Sequence, residues 1–227
     1  MMKTSDEKVK AEFEQNRYVV IPNGISPAIV KFIDYYIEVF TYRYETVVEL
    51  LPAHYNYSDH GHVNKRSSSK DRAEVAWNSF NNYGNMITES LLLGMRESIG
   101  RQLGLELVPT YSYFRIYTTG NKLDKHIDRP PCEISMTLCL SRDGESWPIF
   151  IEGTPVYHDP GDLVVYRGCE MKHWRESFKG TKQTQMFLHY NDKNGPHGED
   201  YIYDGRPFLG LPGWTRNGSK DLAHRRG

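Results

Sequence analysis

An excess of either charge is what this chain most clearly lacks. Across 227 residues, 28 Lys and Arg stand against 29 Asp and Glu, for a net charge of -1. Without a basic excess there is no electrostatic footprint for nucleic acid or an anionic membrane. The C-terminal RNGSKDLAHRRG is locally basic and reads as a solvated tail. No apolar run approaches the roughly 20 residues that a membrane helix needs. The opening MMKTSDEKVK is charged and lacks the apolar core of a signal peptide. Cysteine is scarce too: Cys132, Cys139 and Cys169 are odd in number and form no CxxC pair. That argues against a disulfide scaffold or a structural zinc site, and the three read as buried small hydrophobes. These absences point to a soluble cytoplasmic globular protein, long enough for a sizeable core, with no nucleic-acid or membrane partner expected. Oligomeric state is not legible.

What is abundant is tyrosine, 16 residues within an aromatic content of 13%. An apolar ring with a polar tip suits a pocket wall as well as a core. RYVVIPNG (17–24) reads as a short buried strand closed by a turn. Ser26-Pro27 then looks like an N-cap followed by proline at the first helical position. Ile29, Ile33, Ile37, Phe40, Tyr44, Val47 and Leu51 recur at helical spacing until Pro52. Residues 54–70 are polar and read as a long loop, a candidate lid. A second helix follows on Ile87, Leu91, Met95, Ile99 and Leu103, with Gly104 as C-cap. From Val108 the texture changes to short segments rich in β-branched and aromatic residues: TYSYFRIY, EISMTLCL, WPIFIEG, TPVYH, LVVYRG and TKQTQMFLHY. Six strands parted by turn signals after two helices predict an α+β protein, mainly β. A sandwich or barrel is expected over 108–192, with helices of 1–107 packed on one side and an irregular extension over 193–227. No internal repeat or second domain is visible.

Within this frame KHIDRPPCEIS (125–135) stands out. In an extended chain, His126 and Asp128 project to one face, as two ligands of one metal ion must. The third ligand is expected from a later strand, and His173, just past the buried run DLVVYRG, is the best placed. Two histidines and one carboxylate leave the opposite metal face open, which is the facial triad of non-haem Fe(II) oxygenases. DHGH (59–62) repeats the spacing but sits in a polar loop without a supporting strand, so it reads as surface.

HxD followed about 45 residues later by His, among strands of this kind, resembles the Fe(II)/2-oxoglutarate-dependent dioxygenase superfamily. The resemblance covers residues 110–192, and RYVVIPNGISPAIV resembles the lead-in that many members carry. PTYSYFRIY, HIDRPPCEIS and YRGCEMKHWRE are similar to a bacterial and phage-type branch, for which prolyl-hydroxylase-like enzymes are the nearest functional comparison. The resemblance implies a double-stranded β-helix (a cupin-like jelly roll) with His126, Asp128 and His173 as iron ligands. It also implies Fe(II), 2-oxoglutarate and O2 as cofactor and co-substrates, with ascorbate as an accessory reductant. The reaction implied is hydroxylation of a small amino-acid-like or peptidyl substrate, leaving succinate and CO2. Halogenating relatives lack the carboxylate ligand, so Asp128 argues against that chemistry.

The far carboxylate of 2-oxoglutarate needs a cation, which relatives supply about ten residues past the distal histidine. Lys182 stands nine past His173, and strand parity could equally turn it outward. Arg175 shares parity with His173, and Arg115 shares it with Tyr113 and Tyr117; either would offer a bidentate fork that lysine cannot. Tyr117, nine before His126, matches the position from which some relatives hydrogen-bond the same carboxylate. Arg129 and Glu133 flank the metal loop and are candidates to orient a polar substrate, or else form a surface salt bridge together. Trp147 and Trp174 read as barrel packing. Two other readings stay open on sequence: a cupin-like metal enzyme that does not use 2-oxoglutarate, and a non-catalytic β-sandwich binding module.

Overall fold

The strand KQTQMFLHYND (182–192) shows how the molecule is built, because its alternate residues belong to different environments. Gln183, Gln185, Phe187 and His189 share one face; Met186, Leu188 and Tyr190, all fully buried, share the other. The structure, a computed structural model, describes residues 5–50 and 79–216. The expected lid (54–70), the DHGH motif, Leu51 with Pro52, and nearly all of the basic tail fall outside the described residues.

The elements run α1 (Ser5–Asn16), β1 (Tyr18–Ile21), α2 (Pro27–Leu50), β2 (Phe80–Tyr83), α3 (Met86–Leu103) and β3 (Leu107–Thr118). Then follow β4 (Leu123–His126), β5 (Ile134–Arg142), β6 (Ile149–Ile151), β7 (Thr154–Val156), β8 (Leu163–Arg167), β9 (His173–Arg175) and β10 (Lys182–Asp192). Two antiparallel sheets result, a six-stranded one ordered β1-β8-β5-β10-β3-β2 and a four-stranded one ordered β4-β9-β6-β7. The mixed architecture of helices and antiparallel strands agrees with the expected class.

One face of the large sheet is apolar and carries the helices. Phe114, Met136, Leu138, Met186 and Leu188 pack with Phe13 of α1, Ile33 and Ile37 of α2, and Leu92, Ile99 and Leu103 of α3. Burying each such side chain contributes about 1.5–3 kcal/mol. α3 begins at Asn85, whose side chain accepts from Ile87 N at 3.0 Å, and ends at Gly104 with φ 72°, the left-handed cap that the sequence suggests. In α2, Ile33 and Ile37 point inward as expected, but Ile29 is 43% exposed because Val30 takes the inner position. α1 escaped the sequence reading, since SDEKVKAEFEQN buries only Phe13.

The other face of the large sheet looks toward the small one. The ring of Tyr166 on β8 lies 4.7 Å from that of His173 on β9, and Ile149, Ile151 and Val156 pack with Val164 and Tyr166. Toward β3 and β10 this interior becomes polar.

The segment after β10 returns across α3 and β3. Arg206 and Glu89 form a fully buried ion pair at 2.6 Å, and Glu89 also accepts from the backbone of Ser112 and of Gly210. Taking one partner away strands the other charge in the interior. We therefore expect Arg206→Met to cost about 3–5 kcal/mol of unfolding free energy. The Glu89→Met/Arg206→Met pair should cost less than the two single changes together. Chemical denaturation of the three variants measures both; a loss under about 1 kcal/mol for Arg206→Met would show that the pair does not anchor the segment.

Candidate active site

β4 and β9 pair antiparallel with His126 directly opposite His173, which brings the two rings to a centroid distance of 4.3 Å. Each ring has its Nδ1 beside a backbone carbonyl, Asp124 O at 2.7 Å for His126 and Met171 O at 2.9 Å for His173. Carbonyls only accept, so each Nδ1 carries the proton and each Nε2 presents its lone pair. Both lone pairs face Asp128, whose Oδ1 is 3.5 Å from each Nε2. With both rings neutral, three donor atoms thus converge with no proton among them, within 4.8 Å of one another. Such a set is mutually repulsive until a cation sits between its members, and two imidazoles with one carboxylate are a donor set that Fe(II) accepts.

The Asp128 carboxylate is prepared for that role. Burial pushes its pKa up, and the hydrogen bonds and positive charge that the His126 and His173 rings offer when Nε2 carries a proton more than reverse the effect, leaving it well below the usual carboxylate range. A cation between the three groups would act in the same direction. Its Oδ2 accepts from Ser135 Oγ at 2.7 Å, and Ser135 Oγ in turn lies 3.0 Å from His189 Nδ1. Burial lowers the pKa of His189 to about 4, so its neutral ring donates to Ser135, whose own proton goes to Asp128. This chain fixes one carboxylate oxygen and leaves the other facing the two imidazoles, the kind of arrangement that orients ligands in metal sites. Backbone bonds hold the loop: Asp128 N donates to Gly168 O at 2.8 Å, and Gly168 N to Glu133 O at 3.0 Å.

These donors open onto a cavity of about 650 Å³ between the sheets. Tyr111, Tyr113, Arg115 and Tyr117, the inward side chains of β3, form its long wall, and Arg129 and Arg216 stand in it as well. Arg129 binds Asp204 through two nitrogens, at 2.8 and 3.0 Å. Asp204 also accepts from the Tyr83 hydroxyl and from Arg216. Arg129 therefore pairs with Asp204 and not with Glu133. The Glu133 side chain is buried away from the cavity and accepts from Asp192 N at 3.3 Å. Trp147 is packed inside against Tyr117 and Phe178, whereas Trp174 stacks on Phe150 on the other face of the small sheet. Cys132 and Cys139 are buried, and Cys169 is half-buried.

The three expected cations part company. Lys182 is exposed at the start of β10, because Gln183 is the inward residue there. Arg115 lines the cavity, its Nη2 donating to the Tyr113 hydroxyl at 2.9 Å. Arg175 lies deepest, opposite Leu123 on β4, at 1% exposure. Its Nη1 donates to Trp147 O at 2.5 Å, while Nε and Nη2 have no partner. Buried Gln183 Oε1 and His158 Nδ1 are likewise unmatched. Burial lowers the pKa of Arg175, the expected direction for a cation kept from water without an anion.

No family model matches the sequence, and no curated protein does. Among solved structures, the chain is similar to a Pseudomonas putida prolyl-4-hydroxylase at 16% identity and TM-score 0.57, over 82% of this chain and 98% of that one. It is similar to a 2OG-Fe(II) oxygenase family oxidoreductase from Burkholderia pseudomallei at 14% identity and TM-score 0.55, over 89% and 95%. A prolyl hydroxylase from Trichoplax adhaerens, in complex with a hypoxia inducible factor oxygen degradation domain peptide fragment, matches at 13% identity and TM-score 0.57, over 82% and 88%. The fold is thus one that 2OG-Fe(II) oxygenases adopt.

Gly168 gives a direct probe of the ligand loop. A Cβ there would lie 2.3 Å from Asp128 Oδ2, 2.3 Å from Cys132 O and 2.7 Å from Ser135 Oγ. Gly168→Ala must displace the carboxylate or the backbone beneath it. We expect Fe(II) affinity to fall about tenfold or more, with far-UV circular dichroism unchanged. Wild-type affinity in an anaerobic Fe(II) titration would show that the close approach does not constrain the ligand.

Proposed function

We propose that this chain is an Fe(II)- and 2-oxoglutarate-dependent oxygenase, a hydroxylase of an amino-acid-like or peptidyl substrate. Its two sheets then form the double-stranded β-helix of one oxygenase domain. The observation that carries the reading is the convergence of His126 Nε2, Asp128 Oδ1 and His173 Nε2 on one point at the cavity wall. Iron held there would supply dioxygen activation coupled to decarboxylation of 2-oxoglutarate, giving succinate, CO2 and a hydroxylated substrate.

The chain's own residues divide the remaining work. The carbonyls of Asp124 and Met171 hold the Nδ1 protons of His126 and His173, so that Nε2 is the atom each ring offers to a metal. Ser135 and His189 keep Asp128 turned toward them. Arg175 is assigned to the far carboxylate of 2-oxoglutarate. It is the buried guanidinium with two unmatched nitrogens, it stands two residues beyond His173 on the same strand face, and Tyr117 and Trp147 are its neighbours. A carboxylate placed there would satisfy a cation that otherwise costs several kcal/mol to bury. Lys182, exposed, is given no part. The unmatched guanidinium also favours 2-oxoglutarate use over a cupin-like chemistry without it.

Two outcomes test the proposal. Anaerobic Fe(II) should bind the wild type and develop a visible charge-transfer band when 2-oxoglutarate is added. His173→Ala should lose iron affinity at least about tenfold. Full iron binding and succinate formation by His173→Ala would overturn the metal assignment. Separately, Arg175→Met should raise the Kd for 2-oxoglutarate by about thirtyfold or more, the equivalent of roughly 2 kcal/mol. Lys182→Ala should leave it unchanged. The reverse ranking of these two variants would move the carboxylate site to the strand end.

A further inference from the structure

α2 carries two apolar faces where a helix on the outside of a layer needs one. Ile33 and Ile37 point into the core, with Val30 beside them. On the opposite side Phe32, Tyr35, Val39 and Tyr42 are 60, 55, 66 and 74% exposed. At about 100° per residue these four fall within a strip about 80° wide, turned away from the core. Among the described residues no other element exposes more than two large hydrophobic side chains. The intervals of three, four and three residues repeat at about 3.5, the seam that a second helix fills with knobs in holes. The exposed charges beside the strip, Lys31, Glu38, Arg43 and Glu45, are two of each sign, and the Lys31 ammonium lies 5.5 Å from the Tyr35 ring. The strip therefore has no charge that would select an acidic or a basic partner.

We infer that this strip is a self-association surface, on which α2 packs against α2 of a second copy of this chain across a two-fold axis. Three aromatic side chains of about 150–250 Å² each, exposed to this degree, present with Val39 roughly 500 Å². The stems of Lys31, Glu38 and Arg43 bring the patch close to the ~800 Å² that each partner gives to a stable interface. A two-fold contact needs one self-complementary patch, and a straight strip between balanced charges meets its own copy turned end to end. The net charge of -1 sets up no repulsion between copies. A membrane surface is the poorer occupant, because helices that lie on one have flanks rich in Lys and Arg. α2 lies on the helix side of the large sheet and the cavity on the other, so association leaves the candidate site open. The inference is thus independent of the oxygenase reading.

The test is sedimentation of the full chain over about 1–100 μM, since interfaces of this size bind at micromolar or tighter. The wild type is expected to pass from 26.4 kDa to twice that mass, with a Kd of about 10 μM or below. Val39→Glu and Val39→Lys should each stay monomeric, because each sets two like charges across the axis. An equal mixture of the two should recover the doubled mass, a rescue that a misfolded chain could not give. Should both Val39 variants fail to fold, Tyr42→Ala is the milder change at the same seam and should weaken association about tenfold or more. A wild type that is still monomeric at about 100 μM would overturn the inference. So would a doubled mass that survives both Val39 substitutions, or a mixture of the two that stays monomeric. Flotation of the wild type, but not of Val39→Glu, with phosphatidylcholine–phosphatidylserine vesicles would give the face to a membrane instead. A monomer whose melting temperature falls in Val39→Glu would overturn the inference too, by showing that the chain covers the strip itself.

Discussion

Each strand of the large sheet has to satisfy two incompatible neighbours. Its helix-side residues, such as Phe114, Met186 and Leu188, are excluded from water and bonded to nothing polar. Their immediate chain neighbours, Tyr113, Arg115, Gln185 and His189, point the opposite way, toward the polar interior. The strict alternation of a strand makes this possible, and it makes register unforgiving. A slip of one residue would put Arg115 among the helices and Phe114 in the cavity. The helices thus act beyond their own stability: by rewarding one register they aim the other face at the site.

The polar interior is a liability for the fold taken alone. Gln183 and Gln185 hydrogen-bond to each other, and Gln185 reaches Thr137. Arg175 Nε and Nη2, Gln183 Oε1 and His158 Nδ1 remain unmatched. Each unmade bond costs on the order of 1–3 kcal/mol, and a core built for stability would not keep four in one region. The converging lone pairs of His126, Asp128 and His173 have the same character. The converging lone pairs and the two unmatched nitrogens of Arg175 are of the kind that a bound cation and a bound carboxylate would repair, so stability and ligand binding would be linked through them.

The convergence of His126, Asp128 and His173 was legible because its signal is local. HxD fixes a common face within three residues, and the run before His173 marks the strand end that brings the last donor in. α3 could be read from its four-residue spacing and from Gly104. Lys182 shows where spacing alone runs out. Its distance from His173 suits a carboxylate partner, yet which way it points depends on the parity of β10, settled by pairing Gln183 with Tyr117 across the sheet. Parity places Arg175 among the inward residues but does not rank it, because unmatched nitrogens are a property of packing. Ser135, Gly168 and His189 gave no signal beyond lying in strand-like runs.

Least legible was the segment after β10, which reads as Gly/Pro-rich and irregular. Tyr203 and Asp204 take positive φ of 53° and 55°, a conformation no periodic pattern announces. Yet Asp204 joins Tyr83 of β2, Arg129 beside Asp128, and Arg216. Two residues later Arg206 ties the same segment to Glu89 of α3. One irregular stretch therefore couples the helical layer, the edge of the large sheet and the loop that carries Asp128. Because Arg129 directly follows Asp128, any shift of this stretch is transmitted to the carboxylate through a single peptide link. The fold places its least regular segment where regular elements could not reach three layers at once, and buries ionic contacts there to hold it still.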